Sequence, residues 1–94
     1  MSERILIIED DAAIRLGLEM ALLKRDYDVR TAESAEAGEA VLTGFAPDLL
    51  VLDVMLPGRS GFELCRRLRG SGFSAPILML TARSGEEDRV LGLD

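Results

Sequence analysis

Polar residues follow three of the apolar runs in this chain. Glu9, Asp10 and Asp11 come directly after the run ILII, and Asp53 follows the run LLVL. A third run, ILML, is followed by Thr81. If these runs are neighbouring strands of a parallel sheet, their polar residues meet at the edge where such sheets bind ligands. The spacing therefore predicts one shared site.

The chemistry expected of this site follows from its carboxylates. Crowded carboxylates repel one another, which raises their pKa values unless a cation joins them. Mg²⁺ suits an all-oxygen site, keeps several waters and recruits phosphate oxygens. Beside such an ion, Asp53 can act as a nucleophile toward a phosphoryl group and form an aspartyl phosphate. The Thr81 hydroxyl can then donate to a phosphoryl oxygen, and Ala82 leaves room for the group.

Each of these residues also has a simpler structural interpretation. Asp53 can begin a turn at a strand end, and Asp11 is more readily explained as the N-cap of a helix. Thr81 is ordinary β-branched strand content. The combination nevertheless favours a functional cluster, because the groups fall at equivalent ends of alternating structural units.

Composition excludes several classes of protein. The 94 residues suffice for one small domain, and a net charge of −6 argues against binding of nucleic acid or anionic membranes by these residues. The absence of histidine excludes Ser/His triads and imidazole zinc sites. The single cysteine, Cys65, cannot form an internal disulfide. With no signal peptide or membrane-spanning stretch in the pattern, we expect a cytoplasmic protein.

Short apolar runs alternate with segments of helical spacing along the chain. The runs predict strands at residues 5–8, 27–32, 49–52 and 77–80. Continuous apolar runs are typical of strands that are covered on both faces, as in parallel sheets. The alternation predicts an α/β fold with a doubly wound parallel sheet of four strands and right-handed crossovers.

The intervening segments have the spacing of amphipathic helices. The first helix is expected to turn one stripe toward the core, consisting of Ile14, Leu18, Ala21 and Leu22. The second and third are expected to begin at Ser34 and Ser60, and the third to end near Gly70. A fourth helix is predicted after Ser84 and is expected to continue to the end of the chain.

Three motifs of this chain resemble those of the receiver domain of two-component response regulators. They are ILIIEDD, LLVLDVMLPGRSG and PILMLTA, and the resemblance extends from residue 4 to the end of the chain. It implies a flavodoxin-like fold of the chemotaxis type, with residues 1–94 forming part of one receiver domain. It also implies a regulatory phosphoacceptor and not an enzyme, with any catalysis confined to its own phosphorylation and dephosphorylation.

The resemblance implies a role for each matching residue. Asp53 would accept the phosphoryl group from a phosphohistidine on a sensor histidine kinase. Mg²⁺ would be held directly by Asp10, mostly through water by Glu9, and also by Asp53 and the backbone carbonyl of Met55. Thr81 would be the switch hydroxyl that moves toward the phosphoryl group.

The same resemblance assigns Pro57 and Gly61 to the loop that shapes the rim of the site. It also implies a fifth strand and a fifth helix, which ordinarily supply a lysine for the phosphoryl group and an aromatic residue coupled to the threonine. Neither Lys24 nor Tyr27 stands at a matching position.

The chain ends inside the predicted fourth helix, so the edge of the 77–80 strand is expected to be open. We interpret the chain as a piece of a longer regulator, whose fold is completed by a missing C-terminal segment or by a second chain. A disordered remainder is the third possibility.

The predicted function is phosphorelay signal transduction, in which Asp53 is phosphorylated in a Mg²⁺-dependent reaction. The motifs resemble those of receivers attached to transcription factors, so transcription regulation is the expected output. A degenerate receiver, which keeps only an interaction surface, is one alternative and fits the absent lysine. A hydrolase of small phosphate esters is another, although no histidine or suitably placed carboxylate follows Asp53 to act as general acid or base.

Overall fold

Strands and helices alternate along most of the chain. A computed structural model describes residues 2–80 and the backbone of residues 90–93. The strands are β1 (Arg4–Ile8), β2 (Asp28–Ala32), β3 (Leu49–Asp53), β4 (Met55–Leu56), β5 (Arg59–Ser60), β6 (Ile77–Leu80) and β7 (Val90–Leu93). The helices are α1 (Ala12–Leu23), α2 (Ala35–Leu42) and α3 (Gly61–Gly70). No helix within these described ranges has the length and apolar character that a membrane span requires.

The main sheet has the strand order β2-β1-β3-β6-β7. Strand β1 pairs in parallel with both β2 and β3, and β3 pairs in parallel with β6. The predicted four-stranded parallel sheet is therefore confirmed. Its register sets Ile8 opposite Leu52 and Asp53 opposite Leu80, so the carboxyl ends of β1, β3 and β6 coincide.

The last strand differs from the sequence prediction. Val90–Leu93 is a strand that pairs antiparallel with β6, where the fourth helix was expected to continue. The helix prediction is wrong for these residues, and its expected start after Ser84 lies outside the described residues. Unpaired backbone groups along β6 are a strong template for another strand. Residues near the end of the chain pair with that edge. The edge is therefore occupied, and the expectation of an open edge is wrong.

The two faces of the sheet are covered by different helices, as a doubly wound sheet requires. Helices α2 and α3 cover the face that includes Leu6, Leu50 and Leu52, all of which are fully buried. Helix α1 packs on the other face, where Leu18 and Leu22 lie against the cluster around Ile7. Ala21, predicted to share this stripe, is exposed, and that part of the prediction is wrong.

Side-chain caps begin α1, α2 and α3. Asp11 Oδ1 accepts a hydrogen bond from the Ile14 amide at 3.0 Å, as predicted for an N-cap. The Ser34 and Ser60 hydroxyls accept from amides three residues later, each at 3.1 Å. Such caps satisfy backbone donors that the first helical turn leaves free, and each contributes about 1 kcal/mol. The cap at Asp11 sets the start of α1 directly after the acidic residues that follow β1.

Candidate functional site

Three carboxylates meet at the carboxyl end of the sheet. Glu9 and Asp10 follow β1, and Asp53 is the last residue of the adjacent strand β3. One carboxylate oxygen from each residue lies within 4.8 Å of the others. The parallel pairing of β1 with β3 thus brings together residues that are more than forty positions apart in the sequence.

The cluster is buried on one side and open on the other. Asp53 and Glu9 are buried, with 0% and 1% of their surfaces exposed, whereas Asp10 is exposed. Burial raises the pKa of the Asp53 carboxyl from its ordinary 3.8 to about 7, and the neighbouring Glu9 carboxyl acts in the same direction. The backbone amide of Met55 acts in the opposite direction, because it donates to the charged form. Asp53 is thus costly to ionise without a cation.

The two oxygens of Asp53 have different surroundings. Oδ1 accepts a hydrogen bond from the Met55 amide at 3.2 Å. Oδ2 is buried and has no hydrogen-bond partner in the part of the chain that the structure describes. A buried polar atom without a partner costs about 1–3 kcal/mol, more when it is charged, so such atoms are retained where a ligand uses them.

The position of Glu9 is set by the backbone around it. Its amide donates to the Ala32 carbonyl at 3.0 Å, which extends the pairing of β1 with β2 by one residue. Its Oε2 accepts from the Asp11 amide at 3.2 Å. This second bond turns the Glu9 carboxylate toward the start of α1.

Arg15 is a residue near the site that the sequence analysis did not identify. Its Nη1 donates to the carbonyl oxygen of Glu9 at 2.9 Å and to that of Asp10 at 3.4 Å. The guanidinium therefore holds the backbone of the acidic pair and places a positive charge beside it. Only its spacing from Asp11, one helical turn beyond the N-cap, could have indicated this contact.

The segment after Asp53 approaches the site closely. Gly61 donates from its amide to the Val54 carbonyl at 2.7 Å, and a Cβ added to Gly61 would collide with the carbonyl oxygen of Asp53. Only glycine permits this approach. Between Asp53 and Gly61, strands β4 and β5 form a hairpin in which Gly58 has a φ of 73°. Pro57 is exposed in that hairpin, and the Met55 side chain is 66% exposed.

The remaining predicted site residue is not described. Thr81 and Ala82 lie outside the described residues, which reach Leu80 at the end of β6. The structure thus brings together Glu9, Asp10 and Asp53, with Met55 attached to Asp53 through its amide. The roles inferred for Thr81 and for the Met55 carbonyl stay predictions.

The donor set fits a hard divalent cation. All three side chains offer carboxylate oxygens, which are the ligands that Mg²⁺ and Ca²⁺ prefer. Opposite oxygens in a Mg²⁺ shell lie about 4.2 Å apart, which is close to the spread of the cluster. Asp53 Oδ2, which has no partner among the described residues, is available to a ligand bound at this cluster. These residues can therefore hold a metal ion.

Comparison with known proteins agrees with this geometry. The family model "Response regulator receiver domain" matches residues 5–94. The transcriptional regulatory protein AfsQ1 of Streptomyces coelicolor is 51% identical over 90 residues, which cover 96% of this chain and 40% of that protein. The response regulator MprA of Mycobacterium tuberculosis is 46% identical over 94 residues, covering 100% of this chain and 41% of that protein. The chain thus spans about two fifths of the length of these relatives.

Solved structures share the fold. The response regulator TrrA of Thermotoga maritima, in complex with Mg²⁺-BeF, has a TM-score of 0.79 and 35% identity, with 87% of this chain and 71% of that chain covered. The BeF3-activated receiver domain of RstA from Klebsiella pneumoniae has a TM-score of 0.80 and 37% identity, covering 89% and 71% of the two chains. Motifs, topology and similarity agree, and the chain belongs to the family of response regulator receiver domains.

Proposed function

We propose that this protein acts in a phosphorelay by accepting a phosphoryl group on Asp53 in a Mg²⁺-dependent reaction. One observation carries the proposal: the buried Oδ2 of Asp53 has no hydrogen-bond partner among the described residues and lies in a cluster with Glu9 and Asp10. A carboxylate that only maintained the fold would be expected to have both oxygens satisfied.

In the proposed reaction, Asp53 Oδ2 attacks the phosphorus of a phosphohistidine. A P–O bond to Asp53 forms while the P–N bond to the donor breaks, and the imidazole nitrogen leaves with the electron pair and takes a proton. These 94 residues contain no histidine, so the donor histidine lies outside them, and we propose that it belongs to a sensor histidine kinase. Oδ1 stays bound to the Met55 amide, which keeps the attacking oxygen in one orientation.

The metal would be held by Asp10, Asp53 and the backbone carbonyl of Met55, with Glu9 acting mostly through water. When bound, Mg²⁺ supplies positive charge that offsets the carboxylates and the phosphoryl oxygens. Asp53 then loses its proton more readily than its metal-free pKa of about 7 allows, because a nearby cation favours the charged form. Phosphoryl transfer needs positioning and charge neutralisation more than covalent help, and this set of residues contributes both.

Two other residues take supporting roles in this proposal. Arg15 holds the carbonyls of Glu9 and Asp10, so that the acidic pair keeps its position as charge arrives. Thr81 would donate its hydroxyl to a phosphoryl oxygen, and its movement would couple phosphorylation to the rest of the protein.

The output and location are part of the same proposal. The relatives AfsQ1 and MprA are named a transcriptional regulatory protein and a response regulator, which supports transcription regulation as the output. The single cysteine, which cannot form an internal disulfide, suits a cytoplasmic location. We also propose that a C-terminal segment or a second chain supplies the lysine and the aromatic residue of the family pattern.

Incubation with acetyl phosphate and Mg²⁺, followed by intact-mass measurement, tests the proposal. We expect an adduct of one phosphoryl group that is labile to hydroxylamine. It should not form when EDTA removes Mg²⁺, and it should be absent in Asp53→Asn. Asp48→Asn is the matched control, because Asp48 is an exposed aspartate before β3 and should leave the adduct unchanged. A persistent adduct in Asp53→Asn would contradict the proposal.

The same assay separates the two alternatives. A phosphate-ester hydrolase would release phosphate from p-nitrophenyl phosphate over many turnovers, whereas a phosphoacceptor gives at most one adduct with slow decay. A degenerate receiver would bind Mg²⁺ weakly and take no adduct under any condition.

A further inference from the structure

The hairpin after Asp53 is too short to hold itself in place. Strands β4 and β5 have two residues each, and such a small antiparallel ladder is not stable alone. The hairpin nevertheless carries the Met55 amide that orients Asp53. Within the hairpin, Leu56 is buried and anchors one strand, whereas Met55 and Ser60 are exposed. The Ser60 cap and the Gly61 amide tie the β5 side to the start of α3, so what the hairpin still needs is a contact with the neighbouring helix α2.

Arg59 supplies that contact through three carboxylates. Its Nη1 lies 3.1 Å from Glu39 Oε1, its Nη2 lies 3.8 Å from Glu36 Oε2, and its Nε lies 3.8 Å from Glu63 Oε1. Glu36 and Glu39 belong to α2, and Glu63 belongs to α3. The guanidinium thus links the hairpin to two helices.

This network differs from ordinary surface ion pairs. The Arg59 and Glu39 side chains are only 19% and 27% exposed, so water screens the pair less than it screens exposed charges. Glu39 also binds Arg67 Nε at 2.9 Å through its other oxygen, which fixes the orientation of the carboxylate. A planar guanidinium suits such multiple carboxylate contacts, and lysine does not.

We propose that Arg59 is a positioning residue for the phosphoacceptor: its ion pairs hold the Met55–Ser60 hairpin against α2 and thereby keep the Met55 amide on Asp53. The inference rests on the proposed function, because it assigns Arg59 a role in the reaction of Asp53. Arg59 touches none of the three carboxylates of the site and acts on Asp53 only through the hairpin.

Charge and position predict opposite effects for Arg59→Gln. Removing a positive charge from the hairpin that follows Asp53 should strengthen Mg²⁺ binding if charge alone matters. Loosening the hairpin should weaken Mg²⁺ binding, because Met55 and Asp53 no longer keep one arrangement. The sign of the change therefore distinguishes a positioning role from a purely electrostatic one.

The experiment compares Arg59→Gln, Arg59→Lys and Glu39→Gln with Arg30→Gln in the whole protein. Arg30 is an exposed arginine on β2 that pairs with Asp28, so its variant carries the same charge change away from the hairpin. Hydrogen exchange of the hairpin amides is measured without metal, Mg²⁺ affinity by calorimetry, and the adduct rate with acetyl phosphate. Thermal unfolding confirms that each variant is folded.

We expect hairpin amides to exchange roughly fivefold faster in Arg59→Gln and in Glu39→Gln. We also expect Mg²⁺ affinity to fall about tenfold in Arg59→Gln, with partial recovery in Arg59→Lys and no change in Arg30→Gln. If Arg59→Gln does not fold, Glu39→Gln tests the proposal in its place, because this variant removes the same ion pair from the α2 side.

Unchanged exchange in the hairpin, or tighter Mg²⁺ binding in Arg59→Gln, overturns the proposal while the phosphoacceptor function stands. If the unmodified protein takes no adduct, the proposed function fails and this inference fails with it. The two failures are distinguishable, because the first appears only in the variants and the second already in the parent chain.

Discussion

The two ends of the parallel sheet differ in the burial and pairing of their polar groups. At the carboxyl end, Glu9 and Asp53 are buried, and Asp53 Oδ2 has no partner among the described residues. Toward the amino end, polar groups are exposed and paired: Asp48 Oδ2 accepts from the Arg4 amide at 2.8 Å. The Arg30 guanidinium carbon lies 4.9 Å from the centre of the buried Phe45 ring.

Under the proposed function, this difference separates groups that serve stability from groups that serve the reaction of Asp53. The pairs toward the amino end lose little on folding, because their charges stay in contact with water or with partners. The carboxyl end carries a desolvation cost, which a proton on Asp53 or a bound cation offsets. Substitutions toward the amino end should therefore change mainly stability, whereas substitutions at the carboxyl end should change mainly Mg²⁺ binding and phosphorylation.

Phe45→Ala should have the largest effect on stability. Phe45 is 8% exposed, and truncation of a buried phenylalanine costs about 3–5 kcal/mol in free energy of unfolding. Urea unfolding measures the loss. Phe62→Ala is the matched control, since Phe62 on α3 is 45% exposed and its truncation should cost less than about 1 kcal/mol. Phe45→Leu should keep the protein folded with Mg²⁺ affinity unchanged, and a large drop in affinity would mean that the ends are not independent.

Gly61→Ala should lower both the stability of the protein and its affinity for Mg²⁺. The added Cβ would collide with the backbone oxygen of Asp53, so the backbone must move, at a cost of roughly 1–3 kcal/mol. Mg²⁺ affinity, measured by calorimetry, should fall as well. Gly70→Ala places its Cβ where, apart from its chain neighbours and its own helix backbone, no atom of the described residues lies within 4 Å, and it should change stability by less than about 1 kcal/mol. Equal effects of the two substitutions would contradict the close approach.

Asp53→Asn should abolish phosphorylation and yet stabilise the metal-free protein at neutral pH, by about 1–3 kcal/mol. The pKa of Asp53 is raised from 3.8 to about 7 in the folded state, so the folded state keeps its proton longer than the unfolded state does. The contribution of Asp53 to stability is thus present below pH 4 and is lost as the pH rises through about 7.

Urea unfolding at pH 5 and pH 8 in EDTA checks this prediction. The gain from Asp53→Asn should be larger at pH 8 than at pH 5, and Mg²⁺ should reduce it by stabilising the parent protein. A gain that is the same at both pH values would exclude a raised pKa for Asp53.

Arg30→Gln should have the smallest effect. The side chains of Arg30 and its partner Asp28 are 55% and 41% exposed, so loss of the pair and of the contact with Phe45 should cost less than about 1 kcal/mol. Thermal unfolding at low and high salt measures it, and the loss should shrink as salt screens the charges. An effect as large as that of Phe45→Ala would mean that charge, and not burial, stabilises this end.

Much of the fold could be predicted from local pattern. Strands β1, β3 and β6 lie where the apolar runs indicated, because buried strands need continuous apolar sequence, and the weaker run at residues 27–32 forms the edge strand β2. The caps at Asp11, Ser34 and Ser60 were predictable as well, because they depend on residues within one helical turn. Val90–Leu93 was predicted wrongly, since its strand depends on an edge provided by β6 and not on its own periodicity.

The candidate site was predictable in composition but not in detail. Glu9, Asp10 and Asp53 stand out because each follows an apolar run. Arg15 and Arg59 did not stand out, since their partners are set by the geometry of loops and helix packing. Spacing alone could not have revealed that one oxygen of Asp53 is satisfied and that the other has no partner among the described residues.

The order of residues along the chain was enough to establish the alternating elements, the acidic residues at strand ends and the resemblance to receiver domains, because these depend on near neighbours. The burial of Asp53, the raised pKa of its carboxyl and the Arg59 network emerge only when β1, β3 and α2 pack together. Desolvation and ion pairing act through space, so they depend on which distant segments become neighbours.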